Sequence, residues 1–231
     1  GFTSEQIVIN TEDEASGDIN DPASHVAKAY RYGKLIKDSG AKIRLMLNPH
    51  MRDFDVTSRN LKKLSEVYDI FELYRPKLTP EIAAFAKTLN RELWVYSILA
   101  NVNKPDTYRR MSWENMRDGF SSVVAFWHFD ASHSGGDGFN SRDTPPRRDK
   151  QTTDYGVLYV DFDNETFLTS RRAEAHYQGL LDRKAWEYAK KCGVSDVDLQ
   201  KLVEEGLSGG MDKMNTAREA ILEAAMKRRK E

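Results

Sequence analysis

The chain has 231 residues, enough for one large domain or two small ones with a substantial core. Lys and Arg total 35 and Asp and Glu 36, a net charge of -1 that gives no bulk electrostatic footprint for nucleic acid. A single cysteine, Cys192, excludes an intrachain disulfide framework, and no apolar run approaches the ~20 residues of a membrane span.

The chain opens at Gly1 with neither an initiator methionine nor a basic-then-apolar secretory pattern, as expected of a piece of a longer polypeptide. The first apolar run, Ile7-Val8-Ile9, leads through Asn10 and Thr11 into three consecutive acids, Glu12, Asp13 and Glu14. Asp21-Pro22 then predicts a helix start, with Gly40 as the stop after Asp38. Ile43–Leu47 reads as a second strand, and Thr57 or Ser58 as the cap of a helix through Val67. A third strand follows at Ile70–Tyr74. Thr79-Pro80-Glu81 starts a helix whose Ile82, Ala83, Phe85, Ala86 and Leu89 form one stripe. Leu93–Leu99 is the fourth strand, Thr107–Arg117 a short helix, and Ser122–Trp127 the fifth strand.

Strand–helix alternation of this kind predicts an α/β fold with a parallel sheet and right-handed crossovers. Several of the runs are apolar nearly throughout, the pattern of strands covered on both faces. Residues 130 to 154 change texture to Gly, Ser, Asp, Pro and Arg without apolar periodicity, a long functional or disordered loop. A hairpin arm is expected at Gly156–Val160, a long helix at Arg171–Lys191, and two further helices near Asp196–Glu205 and Asp212–Arg229, hinged at Gly206 to Gly210.

In β/α barrels the active site is built from the carboxyl ends of the strands, where Asp13 and Glu14 fall. Away from that position the same acids would read as a solvated loop before a capped helix. Other clusters carry less. His128, Asp130, His133 and Asp137 lack a zinc-site spacing. Ser134-Gly135-Gly136-Asp137-Gly138 lacks the Gly-Lys-Ser/Thr ending of a phosphate loop, and Arg147-Arg148 and the basic run at 227–230 read as solvated surface. No metal site and no cofactor is expected.

The order of landmarks resembles the catalytic region of glycoside hydrolase family 123, the β-N-acetylgalactosaminidases. A strand ends in Asp13-Glu14, and a later one carries Trp94-Val95-Tyr96. Next come Pro105, Arg109 or Arg110, and Trp113, then Gly119 leading to Trp127. Tyr155 and Tyr159 follow, and last a Ser170-Arg171-Arg172-Ala173-Glu174 helix with Gly179 and Asp182. The resemblance spans about residues 6 to 190, and Ala15 stands where the family commonly has proline.

The resemblance implies a (β/α)8 barrel of TIM type, of which residues 1–191 supply the last five strands, with 192–231 as a helical extension. The earlier strands would come from a missing N-terminal segment or another chain. It implies a glycoside hydrolase acting on a terminal β-linked N-acetylhexosamine, N-acetylgalactosamine above all, in a carbohydrate or glycoconjugate substrate. It also implies an extracellular or periplasmic parent protein. Glu14 would be the general acid and then base, and Asp13 would orient the acetamido nitrogen. Two acids this close cannot ionise independently. Tyr96 would hydrogen-bond the acetamido oxygen and Trp127 would form the floor under the sugar, while Asn48, Tyr74 and His128 are further sugar contacts. Each has a structural counterpart reading, rim packing for Tyr96 and core packing for Trp127. The competing function is a non-catalytic carbohydrate-binding or scaffold protein that retains part of the barrel.

Overall fold

A computed structural model describes residues 3–99, 103–120, 158–161 and 164–229. The fold is α/β, and the chain gathers into two compact units.

The first unit, centred on Gly1–Ser97, holds a parallel sheet of β1 (Val8–Asn10), β2 (Arg44–Leu47), β3 (Ile70–Tyr74) and β4 (Glu92–Tyr96), in that spatial order. Between successive strands run α1 (His25–Asp38), α2 (Phe54–Leu64) and α3 (Pro80–Thr88). Sequential order with right-handed crossovers puts all three helices on one face of the sheet. Contacts of α2 with both α1 and α3 agree.

That arrangement makes the two faces unlike. Leu45, Leu47, Phe71, Leu73, Leu93 and Val95 alternate onto the helix side and are all buried. The register pairs Ile70 with Glu92, Glu72 with Trp94 and Tyr74 with Tyr96 on the other side. The helix face is apolar throughout. The second face mixes apolar Val8, Met46 and Ile70 with polar and aromatic side chains. Ile70, Asn48 and Tyr96 on it are buried, and it carries most of the candidate site.

Local chemistry sets the helix starts. Ser24, Asp53 and Thr79 accept from the backbone N–H groups of Ala27, Val56 and Ile82 at 3.0, 2.9 and 3.3 Å. Each such cap stabilises by about 1 kcal/mol. Two starts differ from the sequence reading. Asp21-Pro22 is a turn, in which Asp21 Oδ1 accepts from Ala23 N–H at 2.9 Å, and the cap role passes to Ser24. Helix α2 begins three residues before Thr57, because Asp53 already supplies a capping carboxylate.

The second unit holds α4 (Pro105–Arg117), α5 (Arg171–Lys191), α6 (Asp196–Leu207), α7 (Met211–Arg228) and an antiparallel hairpin of β5 (Leu158–Asp161) with β6 (Thr166–Thr169). The helices expected as an extension from residue 192 share a core with α4 and α5: Leu199, Val203, Met214, Ala217 and Ile221 close around Trp113. Gly206 lies so near that a Cβ there would meet the Trp113 ring at 2.4 Å. The fifth predicted strand, Ser122–Trp127, lies outside the described residues.

At the centre of this unit Arg109 and Asp182 are 1% and 0% exposed. The guanidinium grips the carboxylate through two bonds, Nε to Oδ2 at 2.6 Å and Nη2 to Oδ1 at 3.0 Å. Trp113 Nε1–H donates to the same Oδ2 at 2.7 Å, and Arg109 Nη1 reaches Asn215 Oδ1 at 2.6 Å. A fork-to-fork pair of this kind is affordable in a dry interior because almost every lone pair and proton is satisfied. Gly179 completes the joint, since a Cβ there would stand 2.9 Å from Arg109 O.

Candidate functional site

Asp13 and Glu14 sit in a tight turn just past β1, with exposed side chains. Glu14 holds φ at 46°, the left-handed region that costs a residue with a Cβ about 1–2 kcal/mol. Its neighbours hold the turn in place. Ala15 is fully buried and bridges to Pro49 beyond β2, with Ala15 N–H donating to Asn48 O at 3.0 Å and His50 N–H to Ala15 O at 3.0 Å. Further on, Asn60 of α2 donates to Gly17 O and accepts from Ile19 N–H, both at 2.9 Å. Arg59 pairs with Asp18. The acid-bearing turn is thus fastened to β2 and α2, and a strained conformation kept by its surroundings is typical of functional positions.

Glu12, the neighbouring rival acid, is committed elsewhere. Its Oε1 lies 2.6 Å from His25 Nδ1 at the start of α1. That leaves Asp13 and Glu14 as the exposed acids of the turn.

Tyr96 ends β4 and is 4% exposed. Asn48, one residue past β2 and 3% exposed, donates Nδ2–H to Tyr96 Oη at 3.0 Å. Strands in a sheet are spaced by about 4.8 Å, so this bond spans the width of β3. Tyr74 at the end of β3 lies in between, its ring 5.1 Å from that of Tyr96 and tilted by 37°. One turn of pleat deeper, Arg44 of β2 pairs with Glu92 of β4, again across β3. Trp94 Nε1–H donates to Glu92 Oε1 at 2.7 Å.

Glu72 occupies the middle of β3 between these two cross-braces. Burial raises its carboxyl above the usual carboxylate range, and the charge of Asp13 adds to the effect. Tyr96 is pushed up to about 12. Burial is the main cause, the hydrogen bond with Asn48 pulls the other way, and Glu14, Glu72 and Asp13 then add their charges. Three carboxyls therefore act on one buried phenol. The Asn48 amide donates to the Tyr96 oxygen, and the Tyr96 O–H is turned toward Asn48 Oδ1 at 3.5 Å, a long bond that leaves the hydroxyl open to a better-placed acceptor.

Of the residues singled out from the sequence, Asn48, Tyr74 and Tyr96 come together at the carboxyl ends of β2–β4, and Asp13 and Glu14 lie in the exposed turn after β1. Trp127 and His128 lie outside the described residues, as do Asp130, His133 and Asp137. Glu72 was not singled out. Its signal was a lone acid inside the apolar run Ile70–Tyr74, legible once the period-2 alternation is applied.

Among the described residues no group of three or more His, Cys, Asp or Glu side chains converges to hold a metal. No helix among them is long and apolar enough to cross a membrane. A separate cleft of about 630 Å³ in the helical unit, lined by Lys104, Asp106, Arg171, Glu174, Tyr177 and Met211, contains none of the site residues. It mixes both charge signs and has no single chemical preference. No family model matches the chain, and no curated protein matches it.

Proposed function

We propose that the chain carries the catalytic half of a glycoside hydrolase that removes a terminal β-linked N-acetylhexosamine, with N-acetylgalactosamine as the first candidate. The observation that supports it most directly is the placement of Asp13 and Glu14 in the turn after β1, at the same carboxyl ends of the parallel strands where Asn48 holds Tyr96. On this reading the sequential sheet belongs to a (β/α)8 barrel.

The chemistry is substrate-assisted, an exception to the two-carboxylate scheme. Glu14, as the acid, gives its proton to the glycosidic oxygen while the acetamido carbonyl oxygen attacks the anomeric carbon. The C–O bond to the leaving group breaks and a cyclic oxazolinium forms. Asp13 accepts the acetamido N–H and stabilises the positive charge that develops on that nitrogen. Tyr96 donates its O–H to the acetamido oxygen and orients it. Glu14, now a carboxylate, takes a proton from water as the water attacks the anomeric carbon. The bond from that carbon to the acetamido oxygen breaks and restores the acetamido group, and the sugar leaves with its configuration retained.

The test is turnover of an aryl β-N-acetylgalactosaminide and its glucosamine epimer by the full chain, beside Glu14→Gln and Asp13→Asn. Turnover that both substitutions abolish supports the assignment; turnover that neither changes removes the pair from the mechanism.

The second reading is a carbohydrate-binding or scaffold protein without turnover. It is favoured by β1, which among the described residues pairs with β2 alone and leaves Ile7 and Ile9 44% and 37% exposed. Such an edge suits completion by a further strand. Sugar binding without hydrolysis, in this chain and in a longer one, is the result that selects it.

A further inference from the structure

Two carboxyls on the second face of the sheet have no task in the mechanism above, and of these Glu92 is paired with Arg44 while Glu72 is not. Its neighbours Phe71 and Leu73 are fully buried on the helix side, so alternation turns Glu72 to the opposite side. The pairing of Met46 with Ile70, continued by two residues, sets Asn48 level with Glu72 on β2, and Trp94 is level with it on β4. Asn48, Glu72 and Trp94 therefore form one row. Tyr96 reaches over the row to Asn48, and the Arg44–Glu92 pair closes it from below.

A carboxyl so placed has an unusual balance. Arg44, the nearest strand-borne cation, is spent on Glu92. Neither a hydrogen bond nor a cation offsets the burial of Glu72 among the described residues, while Asp13 adds a like charge from the turn above. Glu72 is half-buried, so its charge is only partly solvated and a hydrogen-bond donor beside it would stabilise it. Trp94, also half-buried, stands level with it on β4, its indole N–H donating to Glu92 at 2.7 Å. A carboxyl for hydroxyls next to an aromatic face for C–H groups is the pairing that a pyranose needs.

We propose that Glu72 is a substrate-binding residue, hydrogen-bonding a ring hydroxyl of the sugar from the floor of the mouth, with Trp94 beside it as the apolar wall. The assignment rests on the sugar-hydrolase reading and adds a contact that reading does not require. Bound sugar supplies the partner that the free carboxyl lacks, and Asp13 and Glu72 sense one another through the same space. The titratable groups that act on Glu72 or feel its charge are Asp13 from the turn after β1 and Tyr96 on β4.

The experiment is carboxyl-detected NMR titration of the full chain, with and without N-acetylgalactosamine and N-acetylglucosamine, repeated for Asp13→Asn. The Glu72 resonance is expected to titrate above the free-glutamate range, to move down in Asp13→Asn, and to shift when sugar is added. Sugar affinity measured by calorimetry is expected to weaken about tenfold or more in Glu72→Ala and less in Glu72→Gln, whose amide can still bond a hydroxyl. Sugar that binds the wild type while leaving the Glu72 resonance and the affinity of both variants unchanged overturns the assignment, and leaves the hydrolase reading standing. Failure of either sugar to bind the wild type overturns both. The wild-type titration needs no variant, so a substitution that unfolds the chain does not obscure the result.

Discussion

The amide of Asn48 donates to the phenol of Tyr96 across the full width of β3, at 3.0 Å, with both side chains almost completely buried. The bond joins two strands that are not neighbours in the sheet. It braces the Tyr96 ring, whose own O–H is turned back toward Asn48 Oδ1 at 3.5 Å.

Tyr96→Phe removes the acceptor and leaves the buried Asn48 amide without it. The expected cost is about 1–3 kcal/mol in denaturant unfolding, and Asn48→Ala is expected to cost a similar amount because the buried Tyr96 hydroxyl then loses its partner. If Tyr96 also orients the acetamido group, Tyr96→Phe lowers kcat for an aryl N-acetylhexosaminide more than it raises KM.

Glu14 sits at φ 46°, a backbone that glycine adopts freely. Glu14→Gly is expected to leave stability unchanged or raise it by up to about 1 kcal/mol, since relief of strain exceeds or matches the added chain entropy. The same substitution abolishes hydrolysis if Glu14 is the acid. Thermal unfolding beside turnover shows whether stability and activity part in this way; a clear loss of stability would mean that the Glu14 side chain supports the turn.

Burial and Asp13 raise the Glu72 carboxyl in the folded chain above its unfolded value of 4.5. Folded protein then holds that proton more tightly than unfolded protein. No penalty exists below the unfolded value, where both states are protonated. As pH rises from there through the raised folded value, the folded state is increasingly penalised, and above it the penalty is constant. Glu72→Gln is therefore expected to match the wild type in Tm near pH 4 and to exceed it near pH 8. A constant difference across that range would refute the raised carboxyl.

In the helical unit, Asp182→Ala leaves Arg109 buried without its counter-charge. Loss of one partner of such a pair costs about 3–5 kcal/mol. Gly206→Ala drives a methyl into the Trp113 ring and is expected to cost about 1–3 kcal/mol. Both are read from urea unfolding, and in neither case is sugar binding expected to change at temperatures where the chain remains folded.

The landmarks behind the family resemblance separate into two kinds. Asp13, Glu14 and Tyr96 meet at the candidate site, whereas Arg109, Trp113, Gly179 and Asp182 assemble a buried structural joint. Their spacing in the chain does not tell these roles apart. The choice between Arg109 and Arg110 was likewise open, because helical neighbours point in different directions: Arg109 is buried on Asp182, while Arg110 reaches Glu114 at 3.2 Å on the surface.

Strands and helices were legible because their signals are local. Apolar runs, Thr79-Pro80 and the glycine at 40 act within a few residues, and they placed β3, α3 and the end of α1 closely. The start of α1 was misplaced because Asp21-Pro22 serves equally as a turn, and only the contacts of Ser24 with Asp18 and Ala27 decide between the two.

By itself the sequence determined the α/β order, the position of Asp13-Glu14 at a strand end and the absence of a disulfide framework. Each follows from periodicity, adjacency or composition. Tertiary structure alone decided that Glu12 belongs to His25 and that Asn48 braces Tyr96. Those relationships join residues up to 48 positions apart, and they depend on strand register, which a shift of one residue would reverse.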